Sequence, residues 1–420
     1  MKSEESMPNY RPKVREYTNY AIKSVKNVCK AYGPRPVGSE SEKQAQEYMV
    51  KDLESCCDEV KREEFKCSDK AFMSWVPIGA VLIILSTLAF TFGAPVLSIV
   101  FNVLALFFIV TEFIFYIPVL DVFFPKKTSG NVVGVRKPTG EVKRRIIVSG
   151  HTDSAFEWTY TYHGGRPAVM TIIITAIVDI LLGLVSGIVS TVMNGAFCSI
   201  VWTDDIAVGF KIVAVVTYVC LPVIGAAIGF CNYKRPVTGA NDNLTGTFIS
   251  CAVAKFMAAN NFRFENTEVM VLCVGGEEAG LRGSSAFAKA HPELLNDGVE
   301  TIFIGLDTIC ELEYAKIYDK DMTGMVKNSP EVARLIQKAA KQACDIDVPI
   351  GTIELGATDA AAMSRAGFKA SSMVMMDPSP ARYYHTRLDT PELLSPKAIE
   401  TGLLTVLEAA FIFDEKGLEQ

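Results

Sequence analysis

The stretch Arg145-Ile146-Ile147-Val148-Ser149-Gly150-His151-Thr152-Asp153 decides the fold. An apolar run of strand length ends here in an imidazole, with a carboxylate two residues on. Two more runs of the same kind end in acidic residues. Val269-Met270-Val271-Leu272-Cys273-Val274 precedes Glu277-Glu278, and Thr301-Ile302-Phe303-Ile304-Gly305-Leu306 precedes Asp307. In open α/β sheets ligands gather at the carboxyl ends of strands, so these scattered residues are expected to converge on one crevice.

With Asp242 and His385 added, the chain supplies three single carboxylates, two imidazoles and a glutamate pair. Those are the residue types of a two-metal hydrolytic site, where a Lewis acid and a nearby base together activate water at neutral pH. A lone histidine ending a strand, or an isolated Asp-Asn turn, is more often structural. It is the five stretches together, in order, that reverse this reading.

Working outward, the hydrophilic sequence reads as one interrupted domain. Helical patterning covers Glu16 to Tyr32 and Ser41 to Leu53, with Gly33-Pro34-Arg35-Pro36-Val37-Gly38 as a breaker between them. Glu59 to Cys67 alternates like a strand, and Asn131 to Arg136 is its expected partner. After a helix over Thr245 to Ala259, strand and helix patterns alternate to Phe413, which indicates an α/β sheet covered by helices.

Half of the 420 residues are hydrophobic, a high share for a soluble protein, and the excess is concentrated in four places. Val76 to Gly93, Ala94 to Leu120, Pro167 to Met193 and Ile206 to Phe230 are each near the roughly 20 apolar residues that cross a bilayer. We therefore expect a hydrophilic domain made of residues 1–70, 125–166 and 232–420, interrupted by transmembrane hairpins over 71–124 and 167–231. Loops accept such insertions because only their ends must stay close.

Charge orients the spans. Lys70, Lys126-Lys127, Arg166 and Lys234-Arg235 flank them on the side of the hydrophilic domain, whereas Thr91-Phe92-Gly93 and Asn194 to Asp205 contain no lysine or arginine. The positive-inside rule then places the hydrophilic domain in the cytoplasm. Met1 to Arg15 is polar, without the apolar centre of a cleavable signal. Eleven cysteines without regular spacing suit a reducing compartment. The net charge of -6 argues against nucleic acid as a partner, and the four apolar segments make the lipid bilayer an expected one.

Gly239-Ala240-Asn241-Asp242-Asn243, Gly276-Glu277-Glu278-Ala279-Gly280-Leu281-Arg282-Gly283-Ser284 and Tyr384-His385-Thr386-Arg387-Leu388-Asp389-Thr390 together resemble the zinc metallopeptidases that include bacterial leucyl aminopeptidases, glutamate carboxypeptidase and glutaminyl cyclase. Gly33 to Ser39 resembles that family's opening. The resemblance covers nearly all of the hydrophilic sequence and none of the four spans. It implies a three-layer α/β peptidase domain with a mostly parallel mixed sheet.

It also implies two zinc ions bridged by Asp242, with His151 and Asp307 completing one and Glu278 and His385 the other. A carboxylate can span two cations roughly 3.5–4 Å apart. Glu277 is then the general base. Asp153 supports His151 from behind, and Asp389 plays a comparable part near His385. In relatives the peptide bond after the bridging aspartate is cis, which makes Asp242-Asn243 a candidate. The activity implied is that of an aminopeptidase on short peptides. Single-zinc glutaminyl cyclisation and a non-catalytic scaffold or receptor on the same fold are the alternatives.

One departure concerns Thr358-Asp359-Ala360, where relatives often carry Ser-Asp-His, so substrate preference is left open. His163 and His291 are read as non-ligands. Within the spans, Asp179 is expected to be a protonated, hydrogen-bonded carboxylate, and Glu112 and Lys211 lie nearer opposite membrane faces.

Overall fold

The computed structural model describes residue 7 and residues 9–379 and 381–418, so the start of the Met1 to Arg15 segment lies outside the described residues. The chain divides into two compact units. One comprises residues 1–69, 125–156 and 235–420, and the other residues 70–124 and 157–234.

The first unit is built on a mixed sheet of nine strands. These are β1 (Glu59–Cys67), β2 (Lys127–Arg136), β3 (Arg144–His151), β6 (Thr267–Val274), β7 (Glu300–Ile309), β8 (Ala315–Asp321), β9 (Val326–Lys327), β10 (Ile350–Thr352) and β11 (Lys369–Met375). They run in the order β1-β2-β6-β3-β7-β11-β8-β10, with β9 paired to β8. The central pairs β6/β3, β3/β7 and β7/β11 are parallel. Antiparallel pairing appears toward the flanks, including the expected β1/β2 ladder that sets Glu59 opposite Val135.

Alternate side chains of the central strands feed two cores, as the period-2 geometry of a strand requires. Ile146, Val148, Val269, Val271, Cys273, Ile302 and Ile304 meet helices Tyr10–Tyr32, Thr245–Ala259, Pro330–Cys344 and Pro396–Lys416. Ile147, Met270, Leu272, Val274 and Phe303 meet helices Arg282–Ala290 and Asp359–Arg365 on the other face. The result is the three-layer α/β arrangement that the resemblance implies. Helix Thr245–Ala259 lies hard against the sheet, since a Cβ on Gly150 would collide with the backbone of Gly246 and Thr247.

The second unit contains helices Trp75–Thr91 and Pro95–Phe108, the latter continuing as a π-helical turn over Ile109–Ile114, and helices Thr159–Asn194 and Val208–Ala227. Among the described residues, four helical stretches are long and apolar enough to cross a membrane. The third starts at Thr159, earlier than the shift in composition at Pro167, and it breaks only at Gly165, whose φ is 57°. Strands β4 (Phe156–Trp158) and β5 (Cys231–Pro236) pair at the start and end of the second insertion.

Candidate active site

The parallel strands β6, β3, β7 and β11 lie side by side, and the segment after each supplies part of one site. His151 closes β3, Glu277 and Glu278 follow β6, Asp307 lies near the end of β7, and the Tyr384-His385 turn follows β11. Asp242 comes from the segment before helix Thr245–Ala259. Its peptide bond to Asn243 is cis, as expected.

The structure brings all five candidate ligands together around Asp242. His151 Nε2 lies 3.1 Å from Asp242 Oδ1 and 4.0 Å from Asp307 Oδ1. His385 Nε2 lies 3.2 Å from Asp242 Oδ2 and 3.2 Å from Glu278 Oε2. Each oxygen of Asp242 therefore faces a different imidazole, and each imidazole has a further carboxylate. His151, Asp242 and Glu278 can offer ligand atoms that all lie within 4.8 Å of one another. Glu277 reaches to 3.8 Å from His151 Nε2.

The electrostatics of this donor set call for cations. Burial, reinforced by Asp242, pushes the Asp307 carboxyl up to about 7. Burial also pushes Glu277 well above the usual carboxylate range, with His151 opposing and Glu278, Asp359 and Asp307 adding to the rise. Burial works against charge on His385, but Glu278 and Asp242 push it up to about 10. For Asp242, burial is outweighed by hydrogen bonds with the two histidines, and its carboxyl is held below the usual range. Glu278 Oε1 is a buried oxygen without a hydrogen-bond donor. Ligands at roughly 2.0–2.2 Å from a tetrahedral zinc stand about 3.3–3.6 Å apart, so the 3.1–3.2 Å spacings around Asp242 are within a few tenths of an ångström of what zinc requires.

Asp153 sits behind the site. Its oxygens accept the backbone N–H of Glu277 at 3.2 Å and of Glu278 at 3.0 Å. One of them lies 3.6 Å from His151 Nδ1, whose nearer neighbour is the Asp153 carbonyl oxygen at 3.3 Å. Asp389 departs from expectation. Instead of supporting His385, it accepts from Asn241 N at 2.8 Å, Asn241 Nδ2 at 2.9 Å and Asp242 N at 3.1 Å, which fixes the turn that carries the central aspartate. The turn of the chain after His385 brings Asp389 to a different ligand from its sequence neighbour.

Asp359 is buried beside the cluster, and burial pushes its carboxyl up to about 6. His163 belongs to the other unit, and His291 is held by Glu63 at 2.8 Å and Glu293 at 2.9 Å.

Two supporting residues carry no signal that periodicity reveals. Arg35 is fully buried, and its guanidinium donates to the carbonyls of Gly33, Thr152, Thr238 and Gly239. It thereby ties the segment after His151 to the one before Asp242. Asn243 donates to Leu306 O at 2.8 Å and accepts from Gly246 N at 3.0 Å, joining the Asp242 turn to the end of β7. The one hint of Arg35 is its place between two prolines in the breaker.

Residues 225–410 match the model for Peptidase family M28, the family that the motifs resemble. Asp242, Glu278, Asp307 and His385 lie inside the match, and His151 precedes it. Among solved structures, the aminopeptidase from Aneurinibacillus sp. strain AM-1 is similar at 13% identity and a TM-score of 0.55, covering 94% of this chain and 93% of that one. A zinc aminopeptidase from Bacillus subtilis is similar at 14% identity and a TM-score of 0.54, covering 95% of each chain. Fimbriiglobus ruber glutaminyl cyclase is similar at 16% identity and a TM-score of 0.55, covering 94% of this chain and 95% of that one. No curated protein matches the chain by sequence.

Proposed function

We propose that the chain is a membrane-anchored zinc aminopeptidase that removes N-terminal residues from short peptides, with its hydrolytic unit on the cytoplasmic side. The observation that carries the reading is the placement of His151 and His385 on opposite oxygens of Asp242, each with its own second carboxylate. This arrangement supports two zinc ions, one held by His151, Asp242 and Asp307 and the other by His385, Asp242 and Glu278. A single-zinc cyclase would leave part of this set unused.

Zinc bound there supplies the Lewis acidity that makes water nucleophilic at neutral pH and polarises a carbonyl. The chain's own contribution is the proton transfer. Glu277 stands beside the ligand cluster, and its raised pKa suits a group that takes a proton from water and returns it to the departing amine. Asp153 holds the backbone of Glu277 and Glu278 and so aims both side chains. Arg35 and Asp389 keep the turns around Asp242 in register.

Membrane anchoring is supported by the surface of the second unit. Ile174, Ile177, Leu181, Val185, Ile188 and Val192 form an exposed apolar stripe at helical spacing, while Asp179, Gly183, Ser186 and Ser190 of the same helix are buried. Water does not favour an apolar face of that extent, whereas a bilayer does.

The test is Glu277→Gln in purified protein, with metal measured by elemental analysis and turnover on unblocked peptides. We expect two zinc ions per chain to be retained and turnover to fall at least 1000-fold. Near-wild-type hydrolysis would remove Glu277 from the chemistry, and one zinc per chain in the wild type would favour the cyclase reading.

A further inference from the structure

The helical unit contains a second polar site that the hydrolytic reaction does not use. Asp179 lies within helix Thr159–Asn194 and is 1% exposed. One of its oxygens accepts from Thr87 Oγ1 at 3.3 Å, and the other is buried with no hydrogen-bond partner. Asn102, on helix Pro95–Phe108, is fully buried in the same neighbourhood. Its Nδ2 donates to Ser86 Oγ at 2.7 Å, and its Oδ1 likewise has no donor. Ser86 also pairs with Ser98 Oγ at 2.8 Å.

The three helices that carry these groups pack against one another. Ser86 and Thr87 are adjacent on helix Trp75–Thr91. Gly183, one turn beyond Asp179 on the same face, is in contact range of Asn102 and Ser86, since a Cβ there would collide with Asn102 Nδ2 and crowd Ser86 Oγ. Three helices thus bring hard oxygen donors to one buried level. Among the described residues, no lysine, arginine or histidine forms an ion pair with Asp179.

A protonated Asp179 satisfies its own charge, but it provides no donor for Asn102 Oδ1 unless the two side chains meet, and they form no hydrogen bond here. A cation held between the three helices would answer both deficits. Uncharged oxygens with one carboxylate suit a hard ion of low charge, because a divalent ion is usually held by more than one carboxylate. We propose that the helical unit binds one alkali cation, with Asp179, Thr87 and Asn102 as its ligands. The site is separate from the zinc cluster and stands or falls without it. Charged groups in apolar helices are retained chiefly where they do something, and ion binding is a common reason.

The experiment is equilibrium dialysis of sodium-22 against the full chain in detergent, at constant ionic strength set by choline chloride. Saturable uptake of one ion per chain, displaced by unlabelled sodium and not by choline, is expected. Asp179→Asn should weaken uptake at least tenfold, and Thr87→Val and Asn102→Leu several-fold each. Size-exclusion chromatography reports which variants fold, and the last two read the same site if Asp179→Asn does not. Absence of saturable uptake by the wild type, or uptake unchanged in the variants that fold, would overturn the proposal.

Discussion

The carboxylate of Asp153 accepts the backbone N–H of Glu278 at 3.0 Å. A residue two positions after one candidate ligand therefore fixes the backbone of another that is 125 positions later in the chain. Through its neighbouring bond to Glu277 N, the same carboxylate also sets the start of the proposed base. Asp153 thus touches the residues of three candidate site side chains, His151, Glu277 and Glu278.

This coupling makes Asp153→Asn informative. The amide keeps one acceptor oxygen and places an N–H2 against a backbone N–H, so one of the two bonds is lost. Supporting groups of this kind typically change metal affinity or activity by about 10–100-fold. Chelator competition for zinc, together with kcat/KM on one peptide, is expected to show a loss in that range with the fold retained.

Arg35→Met removes a buried guanidinium that donates to four carbonyls. Leaving buried acceptors unpaired costs roughly 1–3 kcal/mol per group, although some of these carbonyls can find other donors. A loss of about 2–4 kcal/mol is the expected net effect. Thermal unfolding should show it as a lower Tm, and zinc should bind more weakly because the turns around His151 and Asp242 are no longer tied.

The protonation of the site gives the metal-free protein a characteristic pH response. Burial pushes Asp307 and Asp389 up to about 7 and Glu42, a buried carboxylate that accepts from Gly38 N and Ser129 Oγ, to about 8, while Glu278 and Asp242 overcome the burial of His385 and push it to about 10. All four are raised, so the folded state holds more protons than the unfolded one and stability falls as pH rises. The carboxylates act from their unfolded values near ~4 up to 7–8, and His385 acts from ~6.5 up to about 10. Asp242 is shifted the other way and matters only below ~4. Calorimetry should therefore show the Tm of the stripped protein falling between pH 5 and 8, with stabilisation by zinc growing over the same interval. A Tm independent of pH in that range would contradict the assignment.

The flanking charges predict which face each connection occupies. A reporter inserted between Asn194 and Asp205 should report the face opposite to the hydrolytic unit, because that connection carries Asp204 and Asp205 and no basic residue. A cytoplasmic readout from this position would reverse the topology.

Much of this architecture is legible in the sequence because its central strands are long and continuously apolar, and each ends where polar chemistry begins. The runs before His151, Glu277 and Asp307 are β3, β6 and β7, which lie side by side in the sheet. Short flanking strands are less visible. Ala315–Asp321 mixes lysines and aspartates with Ala315, Ile317 and Tyr318, and Val326–Lys327 and Ile350–Thr352 are too short to show a period. The helix expected from Glu16 begins at Tyr10, since Tyr10 and Val14 are core residues spaced by one turn. Site support is harder still to read. The bonds of Arg35 end on backbone carbonyls and those of Asp389 on a distant turn, contacts that depend on the tertiary path and leave no periodic trace.

The most direct measurement is digestion of a mixed library of short peptides, with free or acetylated amino termini, by the purified zinc-loaded protein. Stepwise shortening from free N-termini, abolished by chelation and restored by zinc, is the expected result. Internal cleavage, equal cleavage of acetylated peptides, or no hydrolysis at all would contradict it.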